Sequence, residues 1–98
     1  MPWDLEPDTS KPAIGRRLVA VRRARGWTSG ALATTLGLSP QRWHNYEQGY
    51  TTVPPDILGR LWQVTGATSD YILFGRTDGL PSELAALLRA DTDHAKRA

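Results

Sequence analysis

The ten residues from Ser39 to Gln48 concentrate the side chains of this sequence that can do directional chemistry: Gln41 and Asn45 carry amides, Arg42 a guanidinium and His44 an imidazole. An amide presents a donor and an acceptor side by side, which matches the N6 and N7 edge of adenine. The arginine fork fits either a guanine edge or a phosphate. Enzymatic chemistry is not expected from the same residues. No Ser or Cys nucleophile can be argued to stand beside His44, so a general base there has nothing to activate. With no Cys and only two His, the chain cannot assemble the four ligands of a structural zinc site. His94 stands alone near the C-terminus. No metal and no cofactor are expected.

The elements that must hold these side chains follow from hydrophobic phasing. Ser39-Pro40 starts a helix, because Ser caps an orphan amide and Pro at the first position gives up only an N–H without a partner. This helix runs from Pro40 to about Gln48 and buries Trp43 and Tyr46, three apart, which leaves Gln41, Arg42, His44, Asn45 and Gln48 facing outward. Before it, Ile14, Leu18 and Val21 form the stripe of a first helix ending at Gly26. A short second helix, capped by Thr28, turns Leu32, Ala33 and Leu36 inward and stops at Gly37. The Tyr50-Thr51-Thr52-Val53-Pro54-Pro55 loop leads to a fourth helix with a broad apolar face of Ile57, Leu58, Leu61, Trp62 and Val64, closed by Gly66. Thr68 caps a fifth helix ending at Gly75, and a sixth is drawn from Pro81 to about Ala90. No alternating strand pattern and no repeat is present, so the class is all-α. Residues 1–13, with three prolines and four charges, read as a flexible arm, residues 14–75 as the domain, and residues 76–98 as a C-terminal helix with a polar tail from residue 91.

At 98 residues there is room for one domain only. With 40% hydrophobic and 22% charged residues the composition is that of a globular protein, and no apolar run approaches the roughly 20 residues of a membrane span. The first residues carry acids and no apolar stretch of the secretory type, which predicts a cytoplasmic, nucleoid-associated location. The net charge of +2 hides an uneven distribution. Residues 1–13 are at −2 and residues 61–98 at −1, whereas residues 14–60 hold seven arginines against Glu47 and Asp56. Charge alone leaves two readings open, a solvated surface and a polyanion partner. Trp27, Trp43 and Trp62 read as core, Trp3 as part of the arm, and Arg76, Arg89, Lys96 and Arg97 as solubilising.

Two helices joined by Gly37-Leu38-Ser39 have helix-turn-helix spacing. Around them the sequence resembles the bacteriophage repressor and Cro-like helix-turn-helix family, also called the XRE family. The resemblance lies in Ile14-Gly15-Arg16-Arg17-Leu18, Leu32-Ala33-Thr34-Thr35-Leu36-Gly37-Leu38-Ser39, Tyr46-Glu47-Gln48-Gly49 and Asp70-Tyr71-Ile72-Leu73-Phe74-Gly75, in the family's order. It implies a five-helix lambda-repressor-like domain whose third helix enters the major groove of double-stranded DNA. By position, Pro40, Gln41 and Asn45 match the family's base-reading sites, with Arg42 and His44 beside them. Thr28 and Ser29, at the start of the second helix, and Gln48 with Tyr50, Thr51 and Thr52 after the third match its phosphate contacts. The resemblance also implies that Glu47 turns inward to pair with Arg22, the alternative being an exposed pair contributing only ~0–1 kcal/mol.

The sequence departs from the family pattern in three places. Ser29, followed by Gly30, stands where the family often has Gln, the loop after the third helix lacks its usual basic residues, and Pro40 replaces a polar side chain. A single module buries roughly 600–1,000 Å² on DNA, so a homodimer on two half-sites about 10 bp apart is expected. Leu84, Leu87 and Leu88 on the sixth helix, with Ile72 and Phe74 nearby, are the candidate dimer surface; the other reading is that this helix packs back on its own core. The weak phosphate set keeps a second function open, a protein-interaction module such as an antitoxin or adaptor that holds a toxin or polymerase.

Overall fold

The computed structural model describes the backbone of residues 7–97 and the side chains of residues 7–90. Those residues form α1 (Lys11–Ala24), α2 (Ser29–Thr35), α3 (Pro40–Glu47), α4 (Pro55–Thr65), α5 (Ser69–Phe74) and α6 (Ser82–Arg97), with no strand among them. The all-α architecture follows from strong local start signals. Ala13, Ala31, Arg42 and Tyr71 donate their backbone N–H groups to the side-chain oxygens of Ser10, Thr28, Ser39 and Thr68, at 3.1 to 3.3 Å. Each bond satisfies one of the orphan donors of a helix N-terminus.

The Ser10 cap places residues 11–13 of the expected arm in α1 instead. α1 begins at Lys11, a turn earlier than the apolar stripe indicates, and Ala13 is buried on it. Residues 1–6, including Trp3, lie outside the described residues. At the other end, α6 runs to Arg97 where a polar tail was expected. No glycine or proline interrupts residues 82–98, so once nucleated the helix continues to add one bond per residue.

α1 packs against α3, α5 and α6, α2 against α3, and α4 against α5. Leu18, Val21, Leu32, Leu36, Trp43, Ile57, Leu61, Ile72 and Leu84 are fully or almost fully enclosed between them. Two expectations about this core are corrected. Trp62 is 56% exposed, because Ile57, Leu58, Leu61 and Thr65 already occupy the inward face of α4 and Trp62 points away from it. Leu84 and Leu88 belong to the core, so the leucines of α6 do not make a shared outward surface; only Leu87 is exposed. Ile72 is enclosed as well, and Phe74 is partly exposed.

Four arginines of the basic segment serve the fold. Arg17 donates from Nη1 to the Ile72 and Leu73 carbonyls at 3.2 and 3.1 Å, at the end of α5, and from Nη2 to the Asp8 carbonyl at 2.7 Å. Arg25 donates from Nε to the last carbonyl of α4, Thr65, at 2.8 Å, and from Nη2 to Glu83 at 3.0 Å. Arg60 donates from Nη1 to the Leu36 carbonyl closing α2, at 2.9 Å, and Arg22 to the Trp27 carbonyl at 3.2 Å. Helix C-termini leave unsatisfied carbonyls and carry a partial negative charge, so the guanidinium groups of Arg17, Arg25 and Arg60 answer both, while Arg22 holds the connection between α1 and α2.

Candidate DNA-reading surface

α2 and α3 are joined through Leu36-Gly37-Leu38-Ser39. Leu38 is buried, and its N–H donates to the Ala33 carbonyl at 2.9 Å, which fixes the turn against α2. The axial rotation of α3 is set by three inward residues. Trp43 is enclosed, Tyr46 meets it edge to face with centroids 6.4 Å apart, and Glu47 is buried beside them.

A carboxylate is buried at an acceptable cost only when it is paired and hydrogen-bonded. Glu47 Oε2 accepts from Arg22 Nε at 2.6 Å and from the Trp43 indole Nε1 at 2.9 Å, while Oε1 accepts from Arg22 Nη2 at 3.4 Å. α1 and α3 are thereby tied by an ion pair with both partners largely covered. The backbones come close at the same place. A Cβ on Gly15 would collide with the carbonyl of Glu47 and crowd that of Tyr46, so only glycine admits this approach of α1 to α3. Gly49, at φ 77°, turns the chain after α3 where a Cβ would stand 2.8 Å from the Pro12 nitrogen.

With Trp43, Tyr46 and Glu47 inside, Pro40, Gln41, Arg42, His44 and Gln48 are exposed and Asn45 half-buried. The outward side chains are ordered among themselves. Gln41 Nε2 donates to Asn45 Oδ1 at 3.0 Å. Arg42 donates from Nε to the Tyr46 hydroxyl at 2.8 Å and lies 5.9 Å from that ring's centroid. His44 and Tyr50 meet edge to face at 6.4 Å. The surface is a row of amides, one guanidinium and one imidazole on a rigid helix, which equips it to bond to base edges rather than to perform covalent chemistry.

The residues matched to phosphate contacts lie at both ends of this helix. Thr28 is exposed and its Oγ1 accepts from Ala31, while Ser29 is half-buried at the first position of α2. Tyr50, Thr51 and Thr52 are exposed beyond the other end. The N–H groups of Tyr50 and Thr51 donate to the Asn45 carbonyl at 2.9 and 3.4 Å, so these two residues offer their hydroxyls rather than their backbone donors. Sequence reasoning missed a further cationic feature. Arg16 and Arg23, both exposed, stand seven residues apart on α1 and border a groove of about 430 Å³ shared with Glu47 and Gln48 at the end of α3. Arg16 also lies 3.9 Å from Asp8. Their spacing is visible in the sequence, but their availability is defined only once Arg17, Arg22, Arg25 and Arg60 are seen to be engaged.

A short two-helix unit, a buried-leucine turn and a polar outward face on the second helix define a helix-turn-helix DNA-binding domain. The chain belongs to the helix-turn-helix domain family, which it matches over residues 13–71. Among solved structures it is similar to the clp gene regulator ClgR from Corynebacterium glutamicum, at 26% identity and a TM-score of 0.59, over 88% of this chain and 86% of that one. No curated protein matches the sequence. Among the described residues no helix is long and apolar enough to cross a membrane.

Proposed function

We propose that this protein is a cytoplasmic transcriptional regulator that binds double-stranded DNA sequence-specifically, with α3 in the major groove, as a homodimer on an inverted repeat. The observation that carries the reading is the division of α3 into a buried side of Trp43, Tyr46 and Glu47 and an outward side of Pro40, Gln41, Arg42, His44 and Asn45. The amides suit adenine, Arg42 suits guanine, and the Pro40 ring suits a thymine methyl. Similarity to a gene regulator supports the same assignment.

Backbone contacts position such a protein and supply most of its affinity. The hydroxyls of Thr28, Ser29, Tyr50, Thr51 and Thr52 and the amide of Gln48 are the neutral part of that set. Arg16 and Arg23 are the charged part, in place of the basic loop this chain lacks. Gly30, with open space around it, lets a backbone approach the first turn of α2.

Selection of the purified protein against random duplex DNA at near-physiological salt tests the reading. Enrichment of an inverted repeat with half-site centres about 10 bp apart is expected. Salt-sensitive general binding without enrichment would overturn it.

A further inference from the structure

Residues near the N-terminus of a groove-binding helix are the ones that meet base edges, and Arg42 is the third of the eight residues of α3. Its side chain is exposed, yet it is held. Nε donates to the Tyr46 hydroxyl at 2.8 Å, and the guanidinium carbon lies 5.9 Å from that ring's centroid. Helical side chains lean toward the N-terminus, so the hydroxyl of residue 46 arrives beside the residue one turn before it. The ring that carries this hydroxyl is itself fixed. It is 4% exposed and meets Trp43 edge to face, and the Trp43 indole in turn donates to the buried Glu47.

We infer that the Tyr46 hydroxyl is a specificity-determining positioning group: by holding Nε it commits the free end of the Arg42 guanidinium, Nη1 and Nη2, to O6 and N7 of one guanine in the DNA site. The inference rests on the proposed reading of DNA by α3 and goes beyond it, because an arginine by itself fits a guanine edge or a phosphate. Three features of the contact select the guanine. The hydroxyl engages one nitrogen of the guanidinium, and Nη1 and Nη2 have no partner among the described residues, which leaves the two-pronged end that matches O6 and N7. The anchor is neutral, so the positive charge stays whole, where a carboxylate would offset it and repel DNA. A free arginine loses rotamer freedom on binding, whereas one already held loses less and has its plane set before a base arrives. A base edge presents its acceptors in one plane; a phosphate offers oxygens in several directions and demands no such preset.

Selection against random duplex DNA with Tyr46→Phe, Arg42→Lys and the double variant beside the wild type is the test, followed by affinities for the best site and for that site with each guanine replaced. Tyr46→Phe removes one oxygen and keeps the packed ring, so it should melt as the wild type does. Arg42→Lys, at an exposed position, keeps the charge but lacks Nε and the fork. The expected result is that Arg42→Lys abolishes the guanine preference at one position and Tyr46→Phe lowers it about fivefold at that same position, the effect of one ordinary hydrogen bond. The double variant should be no worse than Arg42→Lys alone, with other positions and the salt dependence as in wild type. Tyr46→Phe with an unchanged guanine preference, or with all sequences weakened alike as for a phosphate contact, would overturn the inference while the DNA reading stands. So would an Arg42→Lys that alters no base position. A wild type that enriches no sequence would overturn both.

Discussion

Arg22 Nε on α1 stands 2.6 Å from Glu47 Oε2 on α3, and the bond joins the helix that organises the core to the helix proposed to read DNA. The Trp43 indole donates to the same oxygen, so one carboxylate fixes both the distance of α3 from α1 and its rotation. The outward side chains of α3 inherit their direction from this contact.

Glu47→Ala leaves the Arg22 guanidinium and the Trp43 N–H without their acceptor. Removing one partner of a buried pair costs about 3–5 kcal/mol, and a loss of that order in urea unfolding is expected. A loss under about 1 kcal/mol, the range of exposed pairs, would show that the contact does not hold the helices together.

Gly15 and Gly59 make opposite predictions for one substitution. Gly15→Ala drives a methyl into the Glu47 and Tyr46 carbonyls and should cost at least the roughly 1–3 kcal/mol of overpacking. Gly59→Ala meets open space and should raise stability by about 0.5–1 kcal/mol. Thermal melts of the two variants decide it; equal shifts would refute the close approach of α1 to α3.

The arginines divide by salt dependence. Arg16→Ala and Arg23→Ala should each lower the slope of log K against log salt by about 0.9 and weaken all sequences alike, with little effect on melting. Arg60→Ala, which uncovers the Leu36 carbonyl, should lower the melting temperature while leaving the slope unchanged. The reverse pattern would reassign both groups.

Gln41 and Asn45 are bonded at 3.0 Å and should read DNA as a unit. Replacing either by Ala is expected to cost about 1–3 kcal/mol at one or two base positions. The double variant should cost less than the sum by about 0.5 kcal/mol or more. Additive losses would mean the amides act separately.

The hydrogen bond from Arg25 holds the Glu83 carboxyl below its ordinary range. A lowered folded pKa gives stability that is complete above the unfolded value and is lost as pH falls through the folded one. Glu83→Gln should therefore lower stability slightly at neutral pH, leave it unchanged at pH values low enough to protonate the wild-type carboxyl, and so flatten the acid side of the stability profile. An unaltered acid slope would exclude the pair as its source.

Much of this protein was legible without coordinates, because the signals involved are local. Thr28, Ser39-Pro40 and Thr68 cap helices by bonding three residues ahead, and the spacing of Trp43 and Tyr46 leaves Gln41 and Asn45 outward on any helix. Even the Arg22–Glu47 pair was accessible, through resemblance to a family rather than through spacing. Tertiary structure decided the rest. Arg17, Arg25 and Arg60 reach carbonyls 24 to 56 residues away, so composition shows a basic segment but cannot divide fold-holding cations from those left at the surface. Likewise, phasing makes Trp62 and the leucines of α6 apolar members of helical faces. Which face is covered depends on where neighbouring helices finally lie, and that turned Trp62 out to solvent and Leu84 and Leu88 in.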